Sequence, residues 1–168
     1  MKLIPLSKTG INKGKWFAQV DDADYDYFNQ FNWTAQPHGK TVYAVRNITL
    51  PTGKRKALRL HREIMRLNDA KIEVDHIDLN GLNNQRSNLR EANRLQNNRN
   101  TTSRICSTSK YLGVSMKRKH SNKKWVSQIN FNGKKQHLGY FKYETDAAFA
   151  YDKKAKEIFG EFANLNFK

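Results

Sequence analysis

Residues 74–100 read VDHIDLNGLNNQRSNLREANRLQNNRN, and the rest of the chain is interpreted around this stretch. Its approach, Ile72-Glu73-Val74-Asp75-His76-Ile77, places β-branched residues at alternate positions and predicts a short strand ending on a carboxylate and an imidazole. Asn80-Gly81 is a tight-turn dipeptide, and Asn83-Asn84 prolongs a polar loop that brings the chain back antiparallel. From Asn88 the period turns helical. Leu89, Ala92 and Leu95 lie at spacings of three, Asn93, Asn97 and Asn100 line another face, and Asn88 with Glu91 has the form of a capping box.

A hairpin and helix carrying Asp-His, a middle Asn and a late Asn resembles the HNH nuclease family, whose ββα-metal fold holds one divalent ion between first strand and helix. The resemblance covers the whole stretch. It implies that Asp75 is a metal ligand and His76 the general base. Asn88 would tie hairpin to helix, and Asn97, where many members carry the last His, would be the second metal ligand. Taken singly, Asp-His pairs are mostly structural, Asn88 is a helix cap and Asn97 a solvated helix residue; the order and spacing give them weight together. The residue types suit phosphodiester cleavage. Imidazole can activate water at neutral pH, and a hard cation held by oxygen ligands can stabilise the leaving oxyanion. The ion expected is Mg²⁺, with Mn²⁺ able to substitute.

The 168 residues are 38% hydrophobic, with no apolar run long enough to span a bilayer and no secretory signature in Met1-Lys2-Leu3-Ile4-Pro5-Leu6. A cytoplasmic protein is expected. One cysteine, Cys106, excludes an internal disulfide and a Cys-based zinc knuckle, so no zinc is expected. The 31 Lys and Arg outnumber 15 Asp and Glu, a net charge of +16 that points to a polyanionic partner. The charges are scattered over strands and loops and do not line one helix face, which favours nucleic acid over a membrane surface.

Residues 1–57 alternate strand-like pieces, Trp16–Val20 and Thr41–Val45, with turns such as Pro51-Thr52-Gly53-Lys54. Between them Asp22 can cap a short helix whose Phe28 and Phe31 share a face, with Trp33 completing a small core; packing explains these aromatics better than base stacking. Residues 58–67 set Leu60, Ile64 and Leu67 at helical spacing, with Arg59, Arg62 and Arg66 on other faces. A Leu-His-Arg helix before the Asp-His strand resembles phage and intron HNH proteins. His61 is thereby a secondary catalytic candidate, the alternative being a packed core histidine, and Arg62 and Arg66 are candidate DNA contacts.

Residues 97–110, NNRNTTSRICSTSK, are nearly free of apolar side chains and carry bases without acids. They read as a linker whose Arg99 and Arg104 suit phosphate. Three strand-like runs follow, 111–117, 124–130 and 135–141, with Asn132-Gly133 as a hairpin turn. Trp125, Ser127 and Ile129 alternate with Val126, Gln128 and Asn130, so one face can pack and the other stay open. Thr145 can cap a final helix with Ala147, Ala148, Tyr151, Ala155 and Ile158 as its apolar stripe, ending at Gly160.

The runs Tyr-x-Gly-Val, Lys-Trp-x-x-x-Ile, Leu-Gly-x-Phe, Ala-Ala-x-Ala-Tyr-Asp and Ala-x-Leu-Asn-Phe together resemble an AP2 DNA-binding domain over residues 111–167. That resemblance implies a three-stranded sheet in the major groove, contacting DNA through Ser115, Lys117, Gln128, Asn130, Lys135 and His137. Lys, Asn, Ser and His stand where the plant pattern has guanine-reading arginines, so binding carries over and the target sequence does not. Arg118 and Lys119, in the longer basic loop, are candidate phosphate contacts.

The expected architecture is α+β: a β-rich region at 1–57, an HNH ββα-metal core at 58–100, a basic linker at 101–110 and an AP2-like module at 111–168. The combination resembles HNH-AP2 homing endonucleases of phages and mobile introns, which implies site-specific cleavage of double-stranded DNA in a host cell. One His and one metal position per chain imply a nicking monomer; a double-strand break would take a dimer or a second engagement. The alternative is a non-catalytic AP2-type DNA-binding regulator.

Overall fold

The computed structural model describes residues 1–7, 9, 12–39, 41–98, 100, 108–117 and 124–167, in two compact units, Met1–Asn97 and Asn98–Lys168. In the first unit, β1 (Lys2–Leu6) pairs antiparallel with β2 (Trp16–Val20), and alternation turns Ile4, Leu6, Ala18 and Val20 into the core. The helix α1 (Asp22–Asn29) lays Phe28 on them, and the buried Trp33 donates its indole N–H to the Phe28 carbonyl at 2.8 Å.

A three-stranded antiparallel sheet comes next: β3 (Thr34–His38), β4 (Thr41–Thr49) and β5 (Arg55–Arg59), with β4 in the centre. Ala44 joins the core from this sheet, and the Arg46 guanidinium lies 3.8 Å above the Phe31 ring. The helix expected over 58–67 is shorter, α2 (Leu60–Ile64), because Leu58 and Arg59 pair with Arg46 and Val45 as the end of β5. Leu60 and Ile64, one turn apart, are fully buried.

The decisive stretch folds as β6 (Glu73–His76), a loop over 77–88 that includes a short 3₁₀ turn, β7 (Leu89–Ala92) and α3 (Arg94–Asn97). The helix expected from Asn88 therefore starts later. Leu89 and Ala92 are both buried, but on opposite faces of a strand that pairs Glu73 with Ala92, Asp75 with Arg90 and His76 with Leu89. In four residues, a spacing of three cannot distinguish a helix face from a strand buried on both sides. The capping box is five residues further on: the Gln96 N–H donates to Asn93 Oδ1 at 2.9 Å and the Asn93 N–H to Gln96 Oε1 at 2.8 Å.

In the second unit, β8 (Val114–Met116), β9 (Trp125–Phe131) and β10 (Lys134–Phe141) form an antiparallel sheet in the order β10-β9-β8. Asn132 and Gly133 both take positive φ, 50° and 74°, the type I′ geometry of a two-residue hairpin. The helix α4 (Glu144–Phe159) buries Ala147, Ala148 and Ala155. It starts at Glu144 with Tyr143 as its N-cap and no side-chain cap bond, so Thr145 is a first-turn residue and not the expected cap. Gly113 is obligatory for close packing: φ is +70° and a β-carbon would lie 1.9 Å from the Tyr151 ring. Asp152, buried on α4, fastens the chain end by accepting the Asn166 and Phe167 backbone N–H groups, each at 2.9 Å.

Candidate active site

Val74, Asp75 and His76 are all buried in β6, with Asp75 and His76 on opposite faces of the strand by simple alternation. Asp75, 3% exposed, receives Nε and Nη2 of Arg90 on its Oδ2 at 2.8 and 2.6 Å, the register partner directly across the hairpin. Glu73 lies two residues earlier, on the Asp75 side, and accepts Nδ2 of Asn97 at 2.6 Å. The short helix thus reaches back to the strand that carries Asp75.

On the other side of β6 three rings meet. His76 lies 5.0 Å from His61 of α2 and 5.7 Å from Tyr43 of β4, and His61 lies 5.4 Å from Tyr43, centroid to centroid. Burial pushes the His61 imidazole down to about 3, with the neighbouring His76, Arg59 and Arg62 adding to the shift. Burial also lowers His76, opposed by Asn84, Asp78 and Asp75. Asn84, with no exposed surface, holds its Oδ1 3.5 Å from His76 Nε2. Its amide is fixed by donation of Nδ2 to the Leu82 carbonyl at 3.0 Å. An amide oxygen only accepts, so a hydrogen bond at this contact needs the imidazole proton on Nε2.

Asn88 clasps the 77–88 loop at its neck. Its Nδ2 donates to Asp78 Oδ1 at 2.9 Å and to the Asn83 carbonyl at 2.8 Å, and its Oδ1 receives the Asp78 N–H at 3.0 Å. Burial alone would raise the Asp78 carboxyl, but hydrogen bonds from Asn83, the Asn80 N–H and Asn88 outweigh it and hold the carboxyl below its usual range. The loop is also pinned to β4: the Gly81 N–H donates to Thr41 Oγ1 at 2.9 Å, and a β-carbon on Gly81 would fall 2.7 Å from the Tyr43 ring.

The remaining expected residues divide by location. Arg62 directs its guanidinium to the carbonyls of Ile72, Leu67 and Asp69, bracing the approach to β6. Arg66 is exposed at φ 54° and lines a cleft of about 510 Å³ with Asp24, Tyr27, Glu63 and Arg86, away from the histidines. In the second unit Ser115, Gln128, Asn130, Lys135 and His137 share one face, since Ser115 pairs with Val126, Gln128 with His137 and Asn130 with Lys135. Lys117 sits 4.3 Å over the Tyr140 ring, which packs edge-on to His137 at 4.5 Å. Arg99, Arg104, Arg118 and Lys119 lie outside the described residues, as does Cys106.

Arg90, Asn84, Tyr43 and Glu73 belong to the site, although no pattern in the sequence singles them out. Arg90 and Glu73 become visible only once Leu89–Ala92 is paired as a strand; Tyr43 and Asn84 arrive through tertiary packing, which leaves no local signal. Among the described residues, no three of His, Cys, Asp and Glu converge as a metal-binding group, so any ion here depends on amide and water oxygens beside Asp75.

No family model matches the chain. It is 34% identical over 164 residues to a protein of Acanthamoeba polyphaga mimivirus named as an uncharacterized HNH endonuclease, covering 94% of this chain and 79% of that relative.

Proposed function

The chain belongs to the HNH endonuclease family, and from that premise we propose that it is a metal-dependent, site-specific DNA endonuclease of the homing type that nicks one strand. One observation carries the reading. The antiparallel β6–β7 hairpin is followed by a helix whose Asn97 contacts Glu73 on the strand that also bears Asp75 and His76.

The donor types, a carboxylate and a side-chain amide oxygen, are those a hard cation takes, although an ion at Asp75 would have to compete with the Arg90 guanidinium for that carboxylate. Asn97 uses its amide nitrogen on Glu73, which leaves the carbonyl oxygen as the ligating atom. Asp75 and Asn97 would hold Mg²⁺, or Mn²⁺ in its place. A bound ion would supply charge stabilisation for the departing 3′ oxygen.

The chain's own residues supply the rest. His76 is buried and neutral, so Nδ1 takes the proton as water forms its bond to phosphorus and the P–O3′ bond breaks; the departing 3′ oxygen takes a proton from solvent, giving 5′-phosphate and 3′-hydroxyl ends. Asn84 keeps the proton on Nε2 and thereby aims the basic nitrogen. Asn88 holds the loop neck at a fixed span, so His76 cannot drift from the strand end. His61 stays uncharged and packs against the base, which suits a supporting role better than proton transfer. The open face of β8-β9-β10, bearing Ser115, Gln128, Asn130, Lys135 and His137, would read the duplex in the manner of an AP2 sheet, with Lys117, Arg118 and Lys119 on phosphate.

The rival reading, a non-catalytic DNA-binding regulator, draws on the Arg90–Asp75 ion pair, which occupies the carboxylate. Supercoiled DNA pools incubated with Mg²⁺ separate the two. Wild type should yield open circles that His76→Ala does not, while both shift DNA equally in a gel; equal binding with no product from wild type in Mg²⁺ or Mn²⁺ refutes the nuclease.

A further inference from the structure

From Tyr27 to Arg62 the chain contains no Asp or Glu, although it carries seven Lys or Arg. This stretch builds the β3-β4-β5 sheet. Ala44 and Arg46 face the core with its Phe31 and Trp33, so the opposite face carries Tyr43, Val45, Asn47 and Thr49 of β4. The register adds Arg55 beside Thr49, Ala57 beside Asn47 and Arg59 beside Val45. Asn47, Thr49, Arg55, Ala57 and Arg59 are exposed there, whereas Val45 is buried and Tyr43 partly so, which leaves the Thr49–Arg59 side of the face open.

The arginines of this unit differ in what they do. Arg46, Arg86 and Arg90 pair with Glu63, Asp24 and Asp75, and Arg62 is spent on backbone carbonyls. No carboxylate among the described residues pairs with Arg55 or Arg59. Both are exposed on an acid-free sheet, at backbone positions about 13 Å apart along β5, or about four base-pair rises. The face is continuous with the histidines: Arg59 lies 5.7 Å from the Tyr43 ring, and Tyr43 lies 5.7 Å from His76.

Resting on the nuclease reading above, we propose that the open face of the β3-β4-β5 sheet is a second duplex-DNA surface, with Arg55 and Arg59 gripping phosphates next to the bond presented to His76. Asn47 stands between them within reach of base edges. The unit that cuts would then also set the phase of the cut, independently of the second unit's sheet.

The test uses the full chain and a random-sequence DNA duplex without Mg²⁺, following fluorescence anisotropy across a salt series. On B-DNA, every phosphate that a variant no longer neutralises lowers the slope of log K against log salt by about 0.9, so Arg55→Ala should remove about 0.9 and Arg55→Ala/Arg59→Ala about 1.8. Lys56→Ala, on the same strand but paired with Ile48 on the other face, removes the same charge and should leave the slope unchanged. Arg55→Ala alone keeps the test valid if removing Arg59 from Tyr43 perturbs folding, which the melting temperature reports. A wild-type slope in the double variant, a drop from Lys56→Ala as large as from Arg55→Ala, or a drop seen only on duplex RNA overturns the proposal. With Mg²⁺ added, cutting by wild type with unchanged slopes in the variants sinks this surface alone. Lowered slopes without any cutting sink the nuclease reading and leave the surface standing.

Discussion

His61 makes the first unit's stability depend on pH in a calculable way. Its ring is 4% exposed, between Tyr43 and His76, and titrates at about 3 in the fold, against about 6.5 in an unfolded chain. A depressed histidine contributes stability that is fully present above the unfolded value and is lost as pH falls, because only the unfolded chain then takes up the proton. Between about pH 7 and about pH 5 this one group removes about 2 kcal/mol, and stability goes on falling below that until the folded ring itself titrates. Urea unfolding at the two pH values measures it. A Trp125→Phe background restricts fluorescence to Trp16 and Trp33, which both belong to the first unit. His61→Phe retains ring packing without the titration, and groups that titrate in both proteins cancel in the comparison. Wild type should lose about 2 kcal/mol more than His61→Phe over this interval. Equal losses would refute the burial argument and place His61 on a water-accessible surface.

Two further outcomes concern the second unit. Ser127 has no exposed surface and its buried Oγ has no hydrogen-bond partner among the described residues; Ser127→Ala should therefore stabilise by up to about 1 kcal/mol, read as a rise in melting temperature. Asp152 accepts two backbone N–H groups and the Asn166 side chain, so Asp152→Ala should cost about 2–4 kcal/mol in thermal unfolding followed through Trp125, because buried donors are left unpaired.

The turn chemistry and the alternating patterns are legible in the sequence wherever one local signal determines them. Asn132-Gly133 demands a two-residue hairpin and forms one, and the alternation over 125–130 correctly separates packed Ser127 and Ile129 from Gln128 and Asn130. The order Asp75, His76, Asn88, Asn97 marks a segment that does fold as a hairpin and a short helix, yet the secondary structure after Asn88 differs from what the spacing suggests. A strand buried on both sides shows no alternation, and the Asn93–Gln96 box that marks the true helix start competes with an equally plausible Asn88–Glu91 pair. The ring cluster cannot be read from the sequence at all. Tyr43, His61 and His76 come from three separated elements, and their proximity depends on how Gly81 lets the loop settle on β4.

Strand β4, at the centre of the three-stranded sheet of the first unit, also acts as its own proofreader during folding. Arg46 has aromatic partners only on the core side, while Asn47 and Thr49 have no apolar place to go. A slip of one residue would turn Asn47 towards the Phe28–Trp33 core and pull Arg46 away from the Phe31 ring. It would cost both faces at once. Misaligned pairings of this sheet are therefore self-rejecting, and the segregation of bare arginines from buried aromatics is enforced by the same alternation that creates it.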